Sequence, residues 1–282
     1  MKPLFDGREV RARFAPGAPG RDAVIVTFAA RQAEQSLDRA GFAEPFLERA
    51  SLPAIHITVA WNHWYTVPEM APALAAVREA AAPFTRRVAY GPSMGGYGAL
   101  LHSRAMGATR VVAVSPRFSI DPAKVPFHRQ HREEAARLDF GGDDMEGGLS
   151  ADAMLILAGD TGHLDAGHLA LIRAASGGRA RLLPLPFAGH PAAPFLQETR
   201  LLRDTALALL LDPRAGPARA SPPCARRPRR LGELLGGDVP PRASHRPRCA
   251  GAARRHRGGR ARADPVGLRG RGGGCAVAGG PA

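Results

Sequence analysis

Seven short strand-like runs, most of them rich in aliphatic and β-branched residues, recur along the first 211 positions, separated by stretches of helical spacing or by glycine- and proline-bearing turns. They lie at residues 9–14, 23–30 (AVIVTFAA), 54–60 (AIHITVA), 87–90, 109–114 (TRVVAV), 153–157 (AMLIL) and 180–185 (ARLLPL). Apart from 9–14, runs this short and this largely apolar suit strands covered on both faces, and their alternation with helices supplies the crossovers that parallel neighbours need. The pattern predicts an α/β fold, a mostly parallel sheet covered by helices. Residues 9–14 alternate in polarity and are expected at the edge of that sheet. The spacing predicts helices over 31–50, 68–82, 94–106 and 194–211, and residues 127–138 are compatible with one more.

The pattern stops at residue 212. From there the chain is arginine, glycine, proline and alanine, with too little apolar surface to offset the entropy of ordering. The expected division is therefore a globular domain over 1–211 and a disordered tail over 212–282. Charge follows the same division. Sixteen arginines stand against Asp212, Glu233, Asp238 and Asp264 in the tail, so it holds +12 of the formal +14 and the domain is nearly neutral. Nucleic acid is thus expected only through the tail, which lacks the interleaved aromatics that stack bases. The abrupt switch in composition also resembles out-of-frame reading of a GC-rich gene.

Cys224, Cys249 and Cys275 all lie in the tail, leaving the domain no thiols for a disulfide frame or a thiolate metal site. At the N-terminus Asp6, Arg8, Glu9 and Arg11 interrupt any apolar core of a secretory signal, and no segment approaches a membrane span of about 20 apolar residues. A cytoplasmic location without membrane contact is expected.

Gly91-Pro92-Ser93-Met94-Gly95 matches G-x-S-x-G, and its setting matters as much as its letters. It follows a predicted strand and opens a predicted helix, the tight corner on which a serine hydroxyl stands exposed at the end of a sheet. A side chain at either glycine would crowd the neighbouring strand or helix. The plainer reading of the same letters is a glycine-rich connecting turn.

The stretch VAYGPSMGGYGALL at 88–101, with its place in the strand series and its sequel, resembles the α/β-hydrolase fold family over residues 9–211. The resemblance implies an α/β-hydrolase-like domain with a small cap, drawn from the polar and glycine-rich connection 115–150, or none. It implies a nucleophile, an acid and a histidine in that chain order, with Ser93 as nucleophile. His190, in FAGHPAAPFL after the last predicted strand, is then the base. The acid follows a late strand, and two residues compete for it. Asp160 directly follows AMLILAG and is preferred, although Gly159-Asp160-Thr161-Gly162 departs from the family's usual G-x-x-D. Asp165 is the alternative, with capping of the following helix as its other role.

The oxyanion donors implied are the N–H of Met94 and one from the loop after residues 23–30, at Ala30 or Arg31. That loop lacks the HGGG run of some lipases and esterases. Trp61, Asn62, His63, Trp64 and Tyr65 form an aromatic loop at a strand end, either clasping a substrate or plugging the space between loop and helix. His163, Asp165 and His168 match no strong zinc spacing, so neither metal nor cofactor is expected. His128 and His131 are expected to face solvent.

The function these readings imply is hydrolysis of an ester or related acyl bond of a small molecule, or acyl transfer by the same residues. The alternatives are a catalytically silent hydrolase-like binding module and a nucleic-acid binder acting through its tail. Oligomeric state is left open.

Overall fold

The computed structural model describes residues 1–162 and 165–212, which lie within a compact unit spanning Met1–Arg226. The second unit, Arg227–Ala282, and with it the expected disordered tail and its three cysteines, lies outside the described residues, as does His163.

Eight strands form one sheet: β1 (Lys2–Asp6), β2 (Val10–Ala15), β3 (Ala23–Phe28), β4 (Ala54–Val59), β5 (Arg86–Pro92), β6 (Arg110–Val114), β7 (Met154–Gly159) and β8 (Arg181–Pro184). Their spatial order is β1-β2-β4-β3-β5-β6-β7-β8. Only β2 runs against its neighbours β1 and β4, and from β4 to β8 every pairing is parallel. Strand β1 was not anticipated, because KPLFD is short and polar-ended. It moves the edge outward, so residues 10–15 are a second strand rather than the edge. The turn between β1 and β2 is held by Glu69, whose carboxylate accepts from the N–H groups of Arg8, Glu9 and Val10 at 2.8–3.0 Å.

The sheet is apolar on both faces because its strands carry two sets of buried side chains. Val24, Val26 and Phe28 of β3 join one core while Ile25 joins the other, as the two-residue side-chain period requires. The first core is closed by α2 (Met70–Ala81), α3 (Met94–Leu101) and α6 (Asp165–Ala175), the second by α1 (Glu44–Arg49) and α8 (Leu202–Leu211). Arg110 at the start of β6 donates to the carbonyls of Leu209 and Asp212 at 2.7 and 2.9 Å, and Arg86 to that of Leu211 at 2.6 Å. Two strand arginines thus satisfy the orphan carbonyls at the end of α8.

Four predicted helices are shorter than their spacing implied, among them α3, which stops at Leu101 rather than 106. Over 31–50 only α1 forms, and Gln32 pairs instead with Asn62, which accepts from its N–H and donates to the carbonyl that a helix would direct to Ser36. Over 194–211 the chain makes α7 (Ala193–Glu198) and then α8, parted at Arg200, whose φ of 58° ends the first helix. Over 127–138 only α4 (Arg132–Ala135) forms, and α5 (Met145–Gly148) follows it in the same connection.

Candidate active site

The serine at position 93 occupies the corner between β5 and α3 with φ 50° and ψ −115°, a conformation costly for a residue with a side chain. The surroundings leave the corner no other shape. A Cβ on Gly91 would lie 2.5 Å from the main chain of Gly95, and a Cβ on Gly95 would run into the carbonyl of Phe28. The two glycines let the strand end, the helix start and the end of β3 pass in contact, and the serine between them is pushed outward. Its N–H still pairs with the carbonyl of Val114 at 2.8 Å, so the turn stays tied to β6.

The hydroxyl of Ser93 lies 2.9 Å from Nε2 of His190, 97 residues further along the chain. The other ring nitrogen, Nδ1, lies 2.9 Å from Oδ1 of Asp165. Both bonds are satisfied at once by a neutral ring that carries its proton on Nδ1, donates it to Asp165, and accepts the serine proton at Nε2. Asp165 is wholly buried, at the first turn of α6. Burial alone would raise its pKa, but the bond from His190 and the nearby charges of His190 and Arg117 outweigh it, and the carboxyl sits below its usual range.

The expected preference for Asp160 is corrected here: it is Asp165 whose carboxylate meets the ring. Asp160 Oδ1 accepts from the N–H of Gly162 at 2.9 Å, and Oδ2 from the N–H of Gly189 at 3.0 Å. Its carboxylate is turned to main-chain donors of two loops, one of which carries His190. Asp165 wins because five more residues carry it past the strand end to the start of α6, level with the ring.

Arg117 was not singled out by the sequence, although an arginine three residues past β6, at the carboxyl edge of the sheet, is a signal that could have been read. It is fully buried, and its Nη1 donates to Asp165 Oδ1 at 2.9 Å.

The N–H of Met94 is the first of α3 and has no partner within that helix. The end of β3 packs against the same turn, with the carbonyls of Phe28 and Ala29 against Gly95, and Ala30 and Arg31 follow directly. Asn62 fixes that loop. Its Oδ1 accepts from Gln32 N at 2.9 Å and its Nδ2 donates to Gln32 O at 2.8 Å.

The other members of the aromatic loop also turn inward. Tyr65 donates to the carbonyl of Ala29 at 2.8 Å, His63 Nδ1 accepts from Tyr65 N at 3.1 Å, and Trp64 Nε1 donates to Glu134 at 3.1 Å. Asn62, His63, Trp64 and Tyr65 are buried, and only Trp61 is partly exposed, its Nε1 on Glu9. The substrate-clasping expectation for residues 62–65 is therefore corrected: their side chains brace the 29–32 loop and the connection above it.

The expectation that His128 and His131 face solvent is corrected for His128, which is buried, while His131 is partly exposed. Phe118 N donates to His168 Nδ1 at 3.1 Å, and His168 Nε2 lies 3.2 Å from His128 Nδ1. A fixed main-chain donor at one end thus dictates both tautomers and leaves His128 with its proton on Nε2. Burial is the main reason that His168 is pushed down to about 3 and His128 to about 4, with the Arg117 charge adding to both. His131 packs its ring 5.6 Å from that of Trp64. Among the described residues no helix is long and apolar enough to cross a membrane.

The sequence matches no protein-family model and no curated protein sequence. Among solved structures the chain is similar to one in the Glycosylation Associate Protein (Gap123) complex from Streptococcus agalactiae. The TM-score is 0.54 and the identity 14%, over 72% of this chain and 45% of that one. It is similar also to the capsule O-acetyltransferase of Neisseria meningitidis serogroup A, with a TM-score of 0.50 and 11% identity over 71% of this chain and 93% of that one. A looser likeness is to esterase 2 of Thermogutta terrifontis, with a TM-score of 0.48 and 19% identity over 71% and 89%. Identities this low speak to the fold and not to the reaction. With its strand order and the serine corner between β5 and α3, the chain has the α/β-hydrolase fold.

Proposed function

We propose that the chain is a serine hydrolase acting on an ester or related acyl bond of a small molecule, through an acyl-enzyme on Ser93. One observation carries the reading. Ser93 Oγ, the ring of His190 and the carboxylate of Asp165 form a continuous row with 2.9 Å at each junction, although they come from three separate parts of the chain. Buried carboxylates and strained serines are costly in isolation, and their convergence on one ring is the arrangement that acyl transfer needs.

In the first half-reaction Nε2 of His190 takes the hydroxyl proton as Oγ bonds to the acyl carbon. The oxygen of that carbon becomes an oxyanion, received by the N–H of Met94 and a second N–H at Ala30 or Arg31. The imidazolium, oriented by Asp165, returns its proton to the leaving oxygen, and the bond to the leaving group breaks. In the second half a water gives its proton to Nε2, attacks the acyl carbon, and Ser93 is released with its proton restored. An acceptor alcohol in place of water gives acyl transfer by the same residues.

The test is labelling with a fluorophosphonate probe, followed by a panel of short and long acyl esters with and without an added alcohol. Labelling of the folded protein that Ser93→Ala abolishes, with ester turnover, is the expected result. Folded protein that neither labels nor turns over any ester overturns the reading and leaves a binding module.

A further inference from the structure

Arg117 and Asp165 are both closed off from solvent, and the guanidinium reaches the carboxylate at 2.9 Å. Its second arm donates to Gln130 Oε1 at 3.3 Å, so the group is held at both ends. Arg117 follows β6, the strand between β5, which leads to Ser93, and β7, which precedes Asp165. Three adjacent strand ends thus deliver nucleophile, arginine and acid to one place. His190 Nδ1 and Arg117 Nη1 meet the same oxygen, Oδ1 of Asp165.

This convergence has an electrostatic consequence. A buried carboxylate without a partner tends to keep its proton, and a buried guanidinium without one is costly. Together they are neutral overall, and the carboxylate stays ionised as an acceptor for the ring. When the ring takes a proton, the row becomes cation, anion, cation. Arg117 then opposes part of the attraction that Asp165 exerts on the imidazolium.

Among the described residues, the titratable groups around this row include His128 and His131 from the 115–150 connection, His168 from α6, and Asp160 beyond Gly189. Burial favours the neutral form of His128 and His168, and Asp160 accepts from the N–H groups of Gly162 and Gly189.

We infer that Arg117 is a positioning residue for the acid and base. It fixes the Asp165 carboxylate and sets the pH below which the Asp165–His190 pair captures a proton and ceases to act. The inference deepens the reading of Ser93, His190 and Asp165 as the reacting groups, but its test does not need turnover.

The experiment follows the ring of His190 by NMR in protein carrying ¹³C-labelled histidine, assigned with His190→Gln, alongside kcat/KM against pH. In Arg117→Met the protonation midpoint of the pair and the acid limb of kcat/KM should both rise by about one pH unit or more, the effect of removing one close like charge. Arg117→Lys keeps the charge and should return both toward the wild type, with kcat still lowered by the lost two-armed geometry. Gln130→Leu frees one arm only and should move the midpoint the same way by less, which carries the test if Arg117→Met does not fold. A midpoint within about 0.2 units of wild type in Arg117→Met, or in Gln130→Leu where that is the variant that folds, overturns the inference and leaves Arg117 a packing element. If the wild type shows no Ser93-dependent labelling, the proposed function fails while the NMR titration still decides the role of Arg117.

Discussion

The N–H of Gly189 donates to Asp160 Oδ2 at 3.0 Å, so one aspartate anchors the loop that presents His190 while another, Asp165, meets the ring itself. The two carboxylates lie on the same side of the sheet edge and divide the labour of placing one imidazole. Orientation is held through the main chain by the first and through Nδ1 by the second.

Their removal should therefore have unequal effects. Asp165→Asn presents an amide that cannot fix the productive tautomer, and kcat should fall by about 10³ to 10⁴. Asp160→Asn leaves the ring its acceptor and loosens only the loop, for a loss of about tenfold. Steady-state kinetics on one activated ester decides it, and equal losses would contradict the assignment of the acid.

Asn62 makes two hydrogen bonds to Gln32 and touches no reacting atom in the proposed scheme. Asn62→Leu should free the loop that the proposed scheme assigns the second oxyanion donor, lowering kcat by about 10² while KM changes little. A KM effect of the same size would instead place this loop in substrate binding.

Gly95 faces the carbonyls of Phe28 and Ala29 with no room for a methyl group. Gly95→Ala should destabilise the fold by about 1–3 kcal/mol in urea unfolding, because backbone and not a flexible side chain must give way. An unchanged midpoint would show that β3 and α3 can separate more easily than their packing implies.

The buried histidines make acid stability predictable in sign. His128, held at about 4, and His168, at about 3, stay neutral in the fold but protonate near 6.5 when it opens. The unfolded chain then binds more protons, so stability falls as pH drops from about 6.5 and levels off below about 3. His128→Gln should flatten part of that slope in denaturant midpoints measured between pH 7 and pH 4. A parallel slope in the variant would assign the loss to other groups.

Much of the scaffold was legible in the sequence because its causes are local. Runs such as AVIVTF and RVVAV are almost wholly apolar and β-branched, which suits strands covered on both sides, and the two glycines around Ser93 mark a corner where no Cβ fits. Helix lengths were less legible. Residues 31–43 form no helix, and Gln32 there pairs with Asn62, thirty positions further on, a contact that no local spacing records.

The sequence by itself determined the alternating architecture, the serine at its corner and the histidine after the last strand, since each rests on neighbours within a few residues. The tertiary structure alone decided which aspartate meets the ring, that the aromatic loop faces inward, and that a buried arginine stands behind the acid. Those outcomes turn on ångström distances between side chains from different strand ends, set by the order β5-β6-β7 and by the buried charges that must balance there.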